Sequence, residues 1–367
     1  MATPDGSTPG AERIISADSH VAIQEEAILA HLASRHHEGY KRARGVFMAE
    51  MARRMKKKPG ASAMPSAEQP WEAAGRRGEY DPAARLEDMD TDRVEAEVLY
   101  TDVLCGTPFY SMEEGGRAAY FRAFNAAALD FAAHDPKRLL PVYVVPIVEI
   151  DEAVREVEHL AAAGARAIML PLYPTDIGLP HYSDSRYDPL WSAISETGMP
   201  VSQHVGINDA LMTVMGYDPT PAKGIFQSLP PIFMAEVLAG WIVPGILERF
   251  PRLRIVLVEA GLGWIPYFLE RLDTMKERHG WDHYGMLPEL PSFYWRRQML
   301  ATFEEDTYGV SQRHRIGVEN LMWATDYPHP DSTWPNSQQV LETHFGDVPL
   351  DEARLMIGGN VARLYGL

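Results

Sequence analysis

Short apolar runs alternate with amphipathic stretches along almost the whole chain, and this alternation predicts the elements. The run Ile14-Ile15-Ser16-Ala17-Asp18-Ser19-His20 reads as a buried strand whose end carries a carboxylate and an imidazole two positions apart. Positions i and i+2 of a strand share a face, so Asp18 and His20 are expected to project together. A helical stretch, "QEEAILAHLASRHHEGYKRA", follows, and then a polar excursion to about residue 80 that mixes Lys, Arg, Met, Gly and Pro. From Arg85 the pattern is regular. A short polar helix leads to a strand at Ala96 to Tyr100, and a helix from Gly116 to about Ala133 leads to a third strand at Leu139 to Val145. The segment "DEAVREVEHLAAAG" has an acidic start, helical spacing of Val154, Val157 and Leu160, and a terminal Gly164 that suits a helix stop. Further strands are expected at Ala165 to Leu170, Met199 to His204, Arg254 to Glu259, Gln298 to Phe303 and Leu321 to Thr325, with helices between them.

Eight apolar strands in alternation with helices imply a parallel sheet, and eight units suggest closure into a (β/α)8 TIM barrel, an α/β fold. An open doubly wound sheet is the alternative, but no Gly-rich phosphate turn follows the first strand. The expected organisation is a flexible tail at residues 1–12, rich in Pro, Gly, Ser and Thr, and a single barrel domain at 13–367 with an insertion at 35–80 after strand one.

Composition narrows the chemistry. Of the 367 residues 46% are hydrophobic, enough for a large core, and the net charge of -17 argues against nucleic acid or an anionic membrane as a partner. No run of about 18 apolar residues marks a membrane span, and the N-terminus lacks a signal-peptide core. With one cysteine, Cys105, the chain can form neither an internal disulfide nor a thiolate cluster, which fits a reducing, cytoplasmic setting. Any metal must therefore use imidazoles and carboxylates.

Those groups sit at strand ends: Asp18 and His20 on strand one, His204 on strand five, Glu259 on strand six and Asp326 after strand eight. The C-terminal ends of barrel strands ring one pocket, so these side chains are expected to converge. Such a set suits one divalent ion, Zn2+ first, with Mn2+ or Fe2+ as alternatives. His329, in "DYPHPD", either faces the pocket from the loop after strand eight or is a turn residue between Pro328 and Pro330. Tyr173, His181, Trp264 and Trp334 lie on or beside rim loops as pocket-wall or packing residues; Arg297 and Lys223 can hold a substrate carboxylate or form surface ion pairs.

The motifs "ADSH", "ARLEDMDTDRVEAEVLY", "VSQHVG", "VEAGLGWIPYFLERLD", "WATDYPHPDSTWP" and "IGGNVARLYGL" together resemble the amidohydrolase superfamily, in its amidohydrolase-related branch that includes aminocarboxymuconate semialdehyde decarboxylase. The resemblance runs from Ile14 to Leu367. It implies a metal-bearing barrel in which His20, His204 and Asp326 match metal-ligand positions and Asp18 stands where relatives have His or another acid. Binuclear members carry a lysine at the end of strand four; "ARAIMLPLYP" has none, so one metal is expected. Decarboxylases of the branch place a His at the end of strand six, where this chain has Glu259.

The leading expectation is thus a mononuclear metal-dependent hydrolase of a small amide, cyclic amide or ester using metal-activated water, with Asp326 moving the water proton to the leaving group and Glu259 orienting the water or shuttling a proton. The alternative is metal-dependent, non-oxidative decarboxylation of an aromatic or unsaturated carboxylic acid, with Glu259 or His329 as proton donor. A hydratase, or a barrel that only binds its ligand, is the remaining reading. The partner is a small-molecule substrate, and a homodimer is expected because relatives commonly dimerise and the segments 35–80 and Pro231 to Phe250 could contact a second subunit.

Overall fold

The computed structural model describes residues 13–55, 75–101, 109–110, 112, 114–206, 208–220, 223–285, 287–329 and 331–367. The expected tail at 1–12, much of the insertion (56–74) and Cys105 lie outside the described residues. Eight strands run in parallel in sequence order: β1 (Ile15–His20), β2 (Ala96–Tyr100), β3 (Leu139–Val144), β4 (Ile168–Met169), β5 (Val201–His204), β6 (Ile255–Val258), β7 (Met299–Phe303) and β8 (Leu321–Trp323). All eight are buried along their length, as strands covered by helices on one side and by barrel filling on the other must be.

The fourth strand is shorter than expected, two residues where six were read, because only Ile168 and Met169 pair in register with both neighbours. β1 is irregular: Ser16 aligns with Glu97 but Ser19 with Leu99, so one extra residue bulges between them. β1 and β8 meet through the bridge Ser19–Tyr327, with His20 N–H donating to the Tyr327 carbonyl (2.6 Å) and Asp326 N–H to the Asp18 carbonyl (3.0 Å). Beneath that seam the hydroxyls of Ser16, Ser19 and Thr325 lie 3.0–3.1 Å from one another. The seam is a polar joint between the first strand and the last.

Local signals explain the helices. Helix Pro82–Asp92 begins with Pro at its first turn and with Asp81 accepting from the Ala83 and Ala84 N–H groups. Helix Asp188–Thr197 ends on Gly198 in the left-handed region. In "IGGN", Gly358 comes so close to β1 that a Cβ there would stand 2.5 Å from the Arg13 carbonyl oxygen, so the final helices lock onto the first strand.

Candidate metal centre

The five strand-end residues converge. His20 Nε2 lies 2.9 Å from Asp326 Oδ1 and 3.7 Å from Asp18 Oδ1, while His204 Nε2 lies 3.5 Å from Asp18 Oδ1 and 3.8 Å from Glu259 Oε2. The His204 ring donates from Nδ1 to the Val205 carbonyl, which leaves Nε2 as the bare nitrogen. That nitrogen and both Asp18 carboxylate oxygens are buried with no hydrogen-bond partner. Orphaned polar atoms of this kind are costly unless something else satisfies them. One ligand atom from each of Asp18, His20, His204 and Glu259 can be chosen within 4.8 Å of the others, and the same holds for His20, Glu259, Asp326 and His329.

Two strand-end acids pay for their placement in backbone strain: Glu259 (φ 54°) and Asp326 (φ 55°) both adopt the left-handed region that non-glycine residues avoid. The Glu259 N–H is anchored on Thr302 Oγ1 (2.7 Å), and the Asp326 N–H on Asp18 O. From the loop after β8, His329 Nδ1 lies 3.0 Å from each Asp326 oxygen, and its ring lies 3.9 Å, centroid to centroid, from that of His20. His329 therefore faces the pocket.

Electrostatics agree with a cation site. Burial, then the Asp326 charge, pushes the Asp18 and Glu259 carboxyls well above the usual carboxylate range. Burial acts in the same sense on Asp326, but hydrogen bonds from His20 and His329 outweigh it and hold that carboxyl well below its ordinary value. Burial and the neighbouring His329 push His20 down to about 3. Burial alone would lower His329, yet its hydrogen bond to Asp326 and the surrounding carboxylates raise it to about 9. A divalent cation would relieve the excess of acidic groups and satisfy the orphaned atoms, and mixed imidazole and carboxylate donors are ordinary ligands of such ions. The residues fit such an ion.

Two residues of this pocket escape a motif reading. Glu304, directly after β7, has a buried Oε1 without a partner and a carboxyl raised by burial and by Asp326 and Asp18. The strand-end rule that found Glu259 applies equally to "ATFEE". Tyr100, at the end of β2, sets its ring 4.9 Å from His204 and 6.2 Å from His20, with its hydroxyl on Ser202 Oγ (3.1 Å).

The expected substrate-contact residues do not join this cluster. Arg297 precedes β7 and so lies at the opposite end of the barrel, bonded to Gln298 Oε1 and the Leu247 carbonyl. Lys223 is buried with Nζ on the Asp218 carbonyl (2.8 Å). Trp334 donates to the Asp88 carbonyl and lies under Arg76. Trp264 donates to the Ala260 carbonyl, Tyr173 to the Phe233 carbonyl, and the exposed His181 pairs with Ser183. Each of these side chains makes a hydrogen bond to a partner outside the acidic cluster.

An amidohydrolase family model matches residues 30–367. The chain belongs to the amidohydrolase family. No curated protein matches the sequence significantly. Among solved structures, 5-carboxyvanillate decarboxylase from Sphingomonas paucimobilis is 21% identical, with 97% of this chain and 99% of that one covered and a TM-score of 0.68. An amidohydrolase from Mycobacterium avium subsp. paratuberculosis K-10 is 18% identical, with coverage of 97% and 99% and a TM-score of 0.74. A dihydroxybenzoic acid decarboxylase from Polaromonas sp. JS666, solved with manganese and the inhibitor 2-nitroresorcinol, is 17% identical, with 97% of each chain covered and a TM-score of 0.69. At these identities the likeness establishes the barrel fold, which the amidohydrolase assignment shares.

Proposed function

We propose that this amidohydrolase is a metal-dependent carboxy-lyase that removes CO2 from an aromatic or unsaturated carboxylic acid. The observation that carries the reading is His329: an imidazole held on both Asp326 oxygens, set 3.9 Å from the His20 ring, centroid to centroid, and half-buried at the pocket. Non-oxidative decarboxylation needs a proton donor to carbon, and a hydrolase needs a free base for water; both Asp326 oxygens already accept hydrogen bonds. Several solved neighbours with this fold act on carboxylated phenols, which supports the same choice over the hydrolase expected from sequence.

Asp18, His20 and His204, whose ligand atoms lie within 4.8 Å of one another, would hold the ion together with Asp326 beside His20, and Mn2+ stands beside Zn2+ as the candidate because manganese is bound in neighbours of this fold. Such an ion supplies a Lewis acid that anchors anionic substrate oxygens. His329, held through Nδ1 by Asp326, delivers the proton of Nε2 to the carbon that bears the carboxylate. The bond from that carbon to the carboxyl carbon then breaks, its electron pair returns to the unsaturated system, and CO2 leaves. Hydrogen replaces the carboxylate, with no net redox change. Glu259, within 4.8 Å of His329, is the group through which the imidazole regains its proton.

The test is elemental analysis of the purified protein combined with a mixed panel of hydroxybenzoates, amides and lactones in D2O, followed by mass spectrometry. Stoichiometric metal, loss of CO2 and one solvent deuterium at the vacated carbon are expected. A product that gains the elements of water, with no CO2 from any acid, would return the assignment to hydrolase. We further propose a homodimer, for which a single monomeric species in light scattering is the refuting result.

A further inference from the structure

At the end of the barrel opposite the acidic centre lies a cavity of about 510 Å3, a size usual for small-ligand sites. Its lining is dominated by five arginines: Arg252 and Arg254 entering β6, Arg296 and Arg297 entering β7, and Arg363 on the last helix. One carboxylate, Glu319, also lines it, 4.0 Å from Arg363. Arg297 is shared with Glu248 at 3.7 Å. Arg252 and Arg254 have no carboxylate partner among the described residues, and Arg254 makes only long contacts of 3.3 and 3.4 Å to the Pro251 and Leu253 carbonyls. Burial and the adjacent Arg297 both lower the Arg254 guanidinium pKa, the sign of like charges gathered without compensation.

Such a concentration is unusual in a chain whose net charge is -17. Isolated surface arginines of an acidic protein normally find acids, and here the surplus is gathered from three separate segments around one concavity. Among the described residues no aromatic side chain lines the cavity, which otherwise offers Gln298, Asn320 and Asn360 as polar groups. A ligand recognised here is therefore read through charge and hydrogen bonds and not through ring stacking. Guanidinium forks match phosphate oxygens in pairs.

We propose that this cavity is a binding site for a small, multiply charged phosphate ligand, a di- or triphosphate group, separate from the acidic centre at the other end of the barrel. Inorganic oligophosphate and the phosphate tail of a nucleotide share this chemistry.

Isothermal titration of the full chain with inorganic triphosphate, pyrophosphate, ATP and sulfate at matched ionic strength tests the site, with the Arg252→Gln/Arg254→Gln variant beside the unaltered protein. Saturable binding of triphosphate is expected, tighter than pyrophosphate, with sulfate far weaker. The double variant should lose roughly tenfold or more in affinity, the worth of at least one charge-assisted hydrogen bond. Removal of metal from the acidic centre by the phosphate probe acts on both proteins alike, so their difference reports the arginines. Tighter binding of ATP than of triphosphate would assign the nucleotide source, and equal or weaker binding the inorganic one. The single exposed variant Arg252→Gln guards against misfolding and should weaken binding in the same direction. No saturable binding, equal affinity for sulfate, or unchanged affinity in well-folded variants would overturn the proposal.

Discussion

Arg85 offers a sharp test of how the centre is supported from behind. Its guanidinium is fully buried, with Nε 2.5 Å from Glu97 Oε2, one terminal nitrogen donating to the His20 carbonyl at 2.8 Å, and the group 4.3 Å over the Tyr327 ring. It thus holds the backbone of one expected ligand and packs against the neighbour of another. Arg85→Met keeps most of the stem but leaves Glu97 buried without a partner. Breaking a buried pair from one side costs about 3–5 kcal/mol, and the stranded His20 carbonyl adds on the order of 1 kcal/mol. Against a total stability of about 5–15 kcal/mol, the variant stands near the threshold of folding. Urea denaturation should show a large fall in the midpoint with an unchanged slope. Adding Glu97→Leu removes the stranded charge and should recover most of the loss, because a buried pair replaced by apolar groups is often neutral. Arg85→Met costing under about 1 kcal/mol, or no recovery in the double variant, would refute the reasoning.

His204→Ala should fold but lose metal and turnover together; the unaltered protein should gain about 2.7 kcal/mol of stability at a metal concentration one hundred times its Kd, and the variant none, which thermal denaturation with and without Mn2+ reads. An Asp92 effect appears with pH. Burial raises its carboxyl from 3.8 to about 6 despite two hydrogen bonds from Ser337. The folded state then binds the proton more tightly than the unfolded one, so stability falls as pH rises from about 4 to 6, by about 3 kcal/mol. Asp92→Asn should flatten that part of the stability profile; an unchanged slope in urea titrations would count against it.

The barrel was legible because its strands are buried on both faces and read as apolar runs, and strands one, five, six and eight are closed by acidic or imidazole side chains. That same rule placed Asp18, His20, His204, Glu259 and Asp326 around one pocket, and it applies equally to Glu304, the residue directly after strand seven, which the sequence reading did not single out. The bulge in β1 was invisible, since register depends on the partner strand and not on the sequence of β1 itself. Wall residues were the least readable. Trp334, Trp264 and Tyr173 sit in loops where ring position follows from tertiary hydrogen bonds to Asp88, Ala260 and Phe233. Arg297 was misplaced for a simpler reason: a residue before a strand belongs to the end where the strand enters, away from the carboxyl-end rim.

The polar seam between β1 and β8 bears on how the chain is made. His20 and Asp326 are 306 positions apart, yet they share one hydrogen bond. Seven strands can emerge from a ribosome with Asp18 and His20 already in place and still lack the carboxylate that His20 and His329 both contact. Contacts of such sequence separation form late. Metal capture by the proposed ligand set would thereby need the finished barrel, and an ion held there would stabilise the joint between the first strand and the last.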